Sequence, residues 1–419
     1  MTDRDGLRHM LVSLSKVATS TGARLVGVMG LYALMARALG PTGFGQFTYW
    51  YATGILLAAL SDLGFGQRAL TSLAAGGDSD IRESFSSLLY ARALTIGIAF
   101  LIGFAWVLAG SNDWQEAVTA LLLLAACLVA SVFEFLAVAM RARGAYGLET
   151  KQAIWSALVG NLVAGAAGYA TRNAVVAAGV MLVFRSLTLA LQFRVVHRHL
   201  GFTGPMLTTA HRRDIFNTIR SGASFIADSA AVQAVGYMDV WVARMLLSDP
   251  VFGVYMAGTR LMQALLTGIP IAASVFVPNL VRASADRVAM KHQRVMLYAL
   301  CTLAGLVLCG LLALGAPWVG AGLFGQQFAA LDNVLPIIGI VVACRYVAAA
   351  PGVDLSATGM QVRRVWANVA TLLVFAGAGF LASRQTMSLR DFAWFLCIPS
   401  IAQILAFGLA RVVPTRITQ

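Results

Sequence analysis

The stretch Ala36–Phe47, with the sequence ARALGPTGFGQF, returns in altered form near the middle of the chain. The second copy, Ala243–Tyr255, has the sequence ARMLLSDPVFGVY and contains one additional turn residue. Both copies run from a small residue and an arginine, through a turn that contains proline, to Phe-Gly-x-aromatic. Their first residues lie 207 positions apart in a chain of 419. The repeat therefore predicts a chain built from two similar lobes.

The composition places these lobes in a membrane. Hydrophobic residues make up 59% of the chain, charged residues only 12%, and the mean hydropathy is +0.77. A soluble domain carries about 25% charged residues, so this chain needs lipid as its solvent. A helix of about 20 residues crosses the hydrocarbon of a bilayer. We predict twelve spans, each end uncertain by about four residues: 11–39, 47–72, 85–109, 116–140, 151–171, 174–196, 216–247, 251–281, 295–324, 331–358, 362–383 and 390–412.

Twelve spans divide equally between the lobes. We predict an all-α polytopic membrane protein with a six-helix lobe at 1–200, a cytoplasmic linker at 201–215 and a second six-helix lobe at 216–419. An even number of spans per lobe gives both lobes the same orientation, so a pseudo-two-fold axis along the membrane normal should relate them. A ligand site between two such lobes is typical of transporters.

Basic residues set the orientation. Twenty of the 31 lysines and arginines lie in tails and loops on one side of the predicted spans, and five lie on the other. By the positive-inside rule both termini are cytoplasmic, and we interpret the first residues as a retained tail without a cleavage site. The same bias accounts for most of the net charge of +13 without nucleic acid. The five on the opposite side are Arg37, Arg172, Arg244, Arg384 and Arg390.

Several mechanisms are excluded by missing motifs. None of the three lysines, Lys16, Lys151 and Lys291, follows glycine, so the chain has no phosphate loop for ATP hydrolysis. The five cysteines are isolated, and neither CxxC nor HExxH occurs, so we expect no disulfide framework, metal or cofactor. The predicted outer loops are too short to hold a catalytic acceptor site. We therefore predict no enzymatic activity.

Ionisable residues inside the spans are the candidates for function, because such residues are costly in lipid and usually face a cavity or a partner. Lys16, Ser20 and Arg24 share one face of the first span. Arg220, Ser224, Asp228 and Asp239 form a stripe on the seventh, and the repeat offset maps Arg24 onto that stripe. We predict that these faces line a central cavity. The substrate-binding candidates are Arg24, Arg220, Arg260, Arg345, Ser20 and Ser224.

Arginine favours a ligand that carries phosphate, since its planar guanidinium binds oxygens in pairs and stays charged. Asp228 and Asp239 are candidates for binding a coupling ion, H⁺ or Na⁺. The alternative for each of these groups is structural: the arginines and aspartates pair with one another inside the protein. Arg220 and Arg24 are the expected partners in that case. No metal ligand and no catalytic group is predicted.

Several stretches resemble the polysaccharide-biosynthesis flippases, the Wzx-type exporters of the multidrug/oligosaccharidyl-lipid/polysaccharide (MOP) superfamily. They are Ala36–Phe47, Leu60–Leu70 (LSDLGFGQRAL), Asp239–Asn279, which contains GVYMAGTRL, and Leu323–Ala330 (LFGQQFAA). The resemblance implies an isoprenoid pyrophosphate-linked oligosaccharide as substrate, flipped from the cytoplasmic to the outer leaflet by alternating access during O-antigen or exopolysaccharide export. It also implies a bacterial inner-membrane location and possible polymerase or glycosyltransferase partners. It supplies no site residue.

Two other functions remain open at this point. A cation- or proton-coupled antiporter of drugs or small molecules belongs to the same superfamily, and it would favour an acidic cavity with few arginines. A scramblase, or an assembly partner without transport, is the third class.

Overall fold

The computed structural model describes residues 3–66, 78–142, 151–152, 154–200, 223–383 and 386–412, and within these ranges the chain is helical, without strands. Two π-helical turns, Trp155–Val159 and Gly320–Phe324, and two 3₁₀ turns, Ala283–Ala285 and Gln326–Leu331, lie between the α-helices. The α-helices are α1 (Asp3–Leu60), α2 (Asp78–Gly110), α3 (Trp114–Ala142), α4 (Gly160–Thr171), α5 (Ala174–Leu200), α6 (Ala223–Leu246), α7 (Asp249–Leu266), α8 (Gly268–Arg282), α9 (Arg287–Val319), α10 (Leu335–Ala357), α11 (Gln361–Ala382), α12 (Leu389–Phe395) and α13 (Cys397–Val412).

Each of the twelve predicted spans has a helical counterpart in the described ranges, which confirms the fold class. Nine described segments are long and apolar enough to cross a membrane, and one of them, Gly22–Leu60, includes parts of both of the first two predicted spans. The sequence predicted a loop between these two spans. In the structure they join instead in α1 across a kink. At the kink Gly40 has a φ of 65°, which glycine adopts readily, and Pro41 follows it.

Several predicted boundaries differ from the helix ends by more than four residues; α1 begins at Asp3 and α2 at Asp78, and not at residues 11 and 85. α1 ends at Leu60, because Leu63 and Gly64 take positive φ angles of 42° and 73°, and the predicted end of the second span at residue 72 lies outside the described residues. Asp62 lies in this turn and pairs with Arg92 at 3.3 Å. The ninth span begins at Arg287 and not at residue 295, because the Asp286 carboxylate accepts a hydrogen bond from the Val288 amide and caps the helix.

The chain divides into two compact units. The first comprises Met1–Leu39 and Gln46–Gly222, and the second comprises Gly40–Gly45 and Ala223–Gln419. The predicted linker at 201–215 lies outside the described residues. In the first unit α3 packs along α5, and Phe85 stacks on Phe135 with ring centroids 5.3 Å apart. Gly160 packs against Phe184 without room for a side chain, so a small residue here brings α4 close to α5.

The second unit is built around α10, which packs extensively against α9 and α13. Two of its spans are interrupted, at Thr267 between α7 and α8 and at Leu396 between α12 and α13. Each interruption comes three residues before a proline, Pro270 or Pro399, whose ring nitrogen cannot donate a helical hydrogen bond. The short segment Gly40–Gly45 also belongs to this unit, where Phe44 contacts other aromatic rings.

Candidate functional site

A polar cavity of about 200 Å³ lies inside the first unit. Its walls come from α1, α3, α5 and the π-helical turn that precedes α4, together with the start of α4. Two arginines, one glutamate, three hydroxyl groups and one amide face it, among apolar neighbours. These polar residues are Arg24, Arg185, Glu134, Tyr51, Ser156, Thr188 and Asn161.

The two arginines of this cavity are held differently. Arg24 Nη1 lies 2.8 Å from Glu134 Oε1, and both side chains are partly open, at 39% and 45% exposure. Arg185 donates from Nη2 to the Tyr51 hydroxyl at 2.8 Å, and its guanidinium also lies over the Tyr51 ring. The hydrogen-bond partner of Arg185 in this contact is thus a phenol and not a carboxylate. The contact with Tyr51 therefore does not neutralise the positive charge of Arg185. The cavity carries one more positive than negative side chain.

The π-helical turn gives this cavity part of its wall. Trp155–Val159 adds one residue to a helical turn, and such turns often occur at functional sites. Ser156 from this turn lies 3.4 Å from the Thr188 hydroxyl of α5. Gly27 of α1 packs directly on the backbone of the turn at Ala157, where no side chain would fit. The close approach of Gly27 therefore fixes α1, and with it Arg24, beside the turn.

The second unit contains a separate buried cluster at the centre of α6, α7 and α10. Asp239 is buried and accepts a hydrogen bond from the Tyr255 hydroxyl at 2.8 Å. The charges of Arg345 and Arg260 both act on the Asp239 carboxylate. Arg260 is itself buried and donates to Gln263 Oε1 at 2.7 Å. The structure thus brings three of the predicted site residues, Asp239, Arg260 and Arg345, together.

Asp228 lies elsewhere on α6, in an ion pair. Arg364 of α11 approaches both of its carboxylate oxygens at 2.8 Å and also contacts the Ser356 hydroxyl. The bidentate geometry fixes α6 against α11. The described partner of Asp228 is therefore Arg364, which lies in the predicted span 362–383, and not Arg24, while Arg220 is outside the described residues.

The remaining predicted site residues are outside the described part of the molecule. Arg220 falls in the undescribed range 201–222. Ser20 and Ser224 lie in α1 and α6, but their side chains are not described.

Six polar residues of the first-unit cavity were not among the predicted site residues: Tyr51, Glu134, Ser156, Asn161, Arg185 and Thr188. Asn161 and Glu134 carried a usable signal, because each is a polar residue within an otherwise apolar span. Arg185 carried the same signal, since it lies in the middle of the predicted span 174–196. Tyr51 gave no signal, since tyrosine is ordinary near the ends of membrane spans.

Comparison with known proteins identifies the family. The model of the polysaccharide biosynthesis protein family matches residues 14–284, well over half of the chain. The chain belongs to this family. Among curated proteins, none matches this chain.

Solved structures share the fold of this polysaccharide biosynthesis protein. An inward-facing multidrug resistance MATE family transporter of the MOP superfamily matches with a TM-score of 0.64 and 16% identity, over 94% of this chain and 93% of that chain. The outward-facing conformation of a MATE family transporter matches with a TM-score of 0.56 and 14% identity, over 95% of both chains. A MOP superfamily transporter from Pyrococcus furiosus, described by the reverse polarity of its binding pocket, matches with a TM-score of 0.53 and 16% identity, over 96% and 93%. The chain is therefore a multi-pass membrane protein with the two-lobed fold of MOP transporters.

Proposed function

We propose that this protein is a flippase that moves isoprenoid pyrophosphate-linked oligosaccharide units from the cytoplasmic to the outer leaflet by alternating access, for surface polysaccharide export. The family match supports a role in polysaccharide biosynthesis, and the fold supports transport. A lipid-linked sugar combines a long apolar chain, an anionic pyrophosphate and many hydroxyl groups. A binding site for it needs cations and hydrogen-bonding groups side by side.

The observation that carries this proposal is the polar lining of the first-unit cavity. Arg24 and Arg185 face it with Glu134 as the one carboxylate, and hydroxyl and amide groups surround them. Guanidinium groups bind phosphate oxygens in pairs, while hydroxyls and amides match the hydroxyl groups of a sugar. At about 200 Å³ the cavity is smaller than the 300–1,000 Å³ of a typical ligand pocket. It suits the charged head of the substrate and not the whole oligosaccharide.

The rival function, an antiporter of cationic drugs, fits this lining less well. A cationic ligand needs carboxylates or aromatic faces, and an arginine surplus repels it. For the Pyrococcus furiosus transporter, the reverse polarity of the binding pocket is described as suggesting a different function. The positive balance beside Arg185 favours an anionic substrate here.

Location and coupling complete the proposal. The excess of basic residues on one side of the spans supports a cytoplasmic location for both termini, and the resemblance to the flippases supports the inner membrane of a bacterium, where a polymerase and glycosyltransferases would act on the same substrate. Asp239 is the better candidate for carrying H⁺ or Na⁺, because the Tyr255 hydroxyl donates to its Oδ2 atom while its buried Oδ1 atom has no hydrogen-bond partner among the described residues. Asp228 is held by Arg364 and more simply serves structure.

The test is flipping of a fluorescent isoprenoid pyrophosphate oligosaccharide by the purified full-length protein in proteoliposomes. We expect Arg24→Ala and Arg185→Ala to reduce the initial rate at least ten-fold, while Arg198→Ala, an exposed arginine on the same helix as Arg185, leaves it unchanged. Imposed pH, Na⁺ or voltage gradients should accelerate the wild type and not Asp239→Asn.

The results can also reject each part separately. Wild-type rates in both cavity variants would remove the cavity from the mechanism. Gradient-driven export of a cationic dye, without movement of the lipid-linked sugar, would favour the antiporter. Equal rates with and without every gradient would remove the coupling role of Asp239 while leaving the flippase intact.

A further inference from the structure

A second, larger groove lies on the second unit, on the surface of α9. Its volume is about 950 Å³, and it extends along α9 from Arg287 to Leu306, with Arg411 of α13 at one side. It shares no residue with the first-unit cavity or with the cluster around Asp239. The proposed transport site therefore does not account for it.

One end of the groove is strongly basic. Three of its basic residues follow one another on α9 at helical spacing, and the fourth comes from α13. They are Arg287, Lys291, Arg294 and Arg411. Asp354, a buried residue of α10, offsets one of these charges, and Asp286, which caps α9, offsets at most another. A surplus of two positive charges remains.

Two of these cations are held in place by the protein. Arg294 Nε lies 2.9 Å from Asp354 Oδ1, and Arg411 Nε lies 3.4 Å from Asp354 Oδ2. Arg411 also donates to the Tyr298 hydroxyl at 3.1 Å and lies over its ring. Among the described residues the Nη atoms of Arg294 have no hydrogen-bond acceptor. A pair of oriented guanidinium groups is a better site for a phosphate than mobile basic side chains, which extend freely into water.

The other end of the groove is apolar. Val295, Leu303 and Leu306 continue the same face of α9, and each is about 60% exposed. From Val295 to Leu306 the helix rises by roughly 17 Å, at 1.5 Å per residue. One leaflet of hydrocarbon is about half of 30 Å, or roughly 15 Å. The apolar end thus has the length of a single acyl chain.

We propose that this groove binds one anionic phospholipid of the adjacent leaflet, with its phosphate at Arg287, Lys291, Arg294 and Arg411 and one acyl chain along α9. The charge surplus matches an anionic head, and the apolar stretch matches the tail. The lipid-linked substrate is a poorer fit. Near the basic end the neutral polar side chains that line the groove are Ser284, Tyr298 and Thr302, without the amide found in the first-unit cavity.

The experiment measures lipid retention by the intact protein. The full-length chain is reconstituted with equal amounts of phosphatidylglycerol and phosphatidylcholine, extracted in mild detergent, and its bound lipids are counted by native mass spectrometry. We expect one phosphatidylglycerol per wild-type chain. The double variant Arg287→Gln/Lys291→Gln should reduce its occupancy about ten-fold, because both residues are exposed and neither contacts Asp354.

The matched control is Arg194→Gln/Arg198→Gln. These two arginines are also exposed, also four residues apart, and lie near the end of α5 in the first unit. They should leave retention unchanged. Leu303→Trp, which fills the apolar end, should reduce lipid retention while leaving the melting temperature of the detergent-solubilised protein within a few degrees of the wild type.

Three results would overturn the proposal. Equal retention of the two lipids, or equal loss in the control variant, would mean ordinary lipid around the protein. If inorganic phosphate displaced phosphatidylglycerol at the same concentration as a short-chain phosphatidylglycerol does, the groove would be an anion site that does not bind an acyl chain. Displacement by a short isoprenoid pyrophosphate at ten-fold lower concentration than by any phospholipid would make the groove a substrate site.

Discussion

At the scale of single residues, the charged groups of this membrane protein fall into two kinds. Asp228 and Asp354 are buried and held by arginines at hydrogen-bond distance, so they tie helices together. Arg185, in contrast, is held by a neutral hydroxyl and faces a polar cavity. A charged residue that is paired with an opposite charge is therefore assigned a structural role, and one that contacts a neutral group is a candidate for function. The depth of the residue in the membrane is less informative.

Arg185 gives the sharper test of the cavity. Replacing Arg185 with alanine removes a charge-assisted contact to the substrate, worth roughly 1.5–3 kcal/mol, which corresponds to a rate or affinity loss of about ten- to a hundred-fold. Tyr51→Phe removes only the hydrogen bond that orients Arg185, and we expect a loss of less than ten-fold. Lysine at position 185 should restore part of the activity if charge alone matters. Flipping rates at matched expression measure all three, and full activity in the alanine variant would contradict the assignment.

Asp354 should instead control stability. Asp354→Asn leaves Arg294 and Arg411 without their shared carboxylate, and removing one partner of a buried ion pair costs about 3 kcal/mol or more. Because both arginines are partly exposed, we expect a cost near that lower bound. Asp249→Asn is the control, since Asp249 pairs with Arg244 while its own side chain is about half exposed, and pairs with an exposed carboxylate contribute less than about 1 kcal/mol. Thermal unfolding in detergent compares them, and equal melting temperatures would contradict the prediction.

At the scale of elements, α1 contains two glycines with opposite surroundings. Gly27 packs on the π-helical turn at Ala157, whereas nothing lies within 4 Å of a side chain added at Gly22. Gly22→Ala should stabilise the helix by up to roughly 1 kcal/mol, because alanine is the better helix former. Gly27→Ala should separate α1 from the turn and reduce both stability and transport. Melting temperature and flipping rate test the pair, and identical behaviour of the two variants would rule out a packing role for Gly27.

Helix ends were harder to predict than helices, for reasons that particular residues show. The length of an apolar run is a local property, so the twelve spans were evident. The start of α9 was missed because Lys291 and Arg294 looked like loop residues, while the decisive signal was the single capping residue Asp286. The break at Thr267 depends on Pro270, but α10 continues through Pro351, so proline alone does not locate a break.

At the scale of the whole molecule, charge placement predicts the topology. With both termini cytoplasmic, Asn112 lies outside and His292 lies inside, and both residues are exposed. A cysteine introduced at position 112 should react with a membrane-impermeant thiol reagent added to intact cells, and one at position 292 should react only after permeabilisation. The reverse labelling pattern would invert the orientation and, with it, the proposed direction of flipping.

The pairing of charges was the part that the sequence could not supply. Helical periodicity correctly places Arg24 on one face of α1, but it does not say that Glu134, far along the chain, meets that face. Asp228 meets Arg364 in the same way. The residues of a helix determine which of them share a face. The ion-pair partner of such a face depends on how several helices pack, and the apolar surfaces of membrane helices give little sequence signal for that packing.

Because Gly40–Gly45 belongs to the second unit, the two halves of the chain should not fold independently when they are expressed from separate gene fragments. Phe44 is fully buried there against Phe324 and Phe328, although it is encoded in the first half. A gene cut between codons 201 and 222 would give one fragment with a displaced phenylalanine and another with an incomplete aromatic core. We expect each fragment to be degraded when expressed alone and both to accumulate when co-expressed, as a complementing pair. Replacing Phe44 with alanine in the first fragment should weaken that complementation.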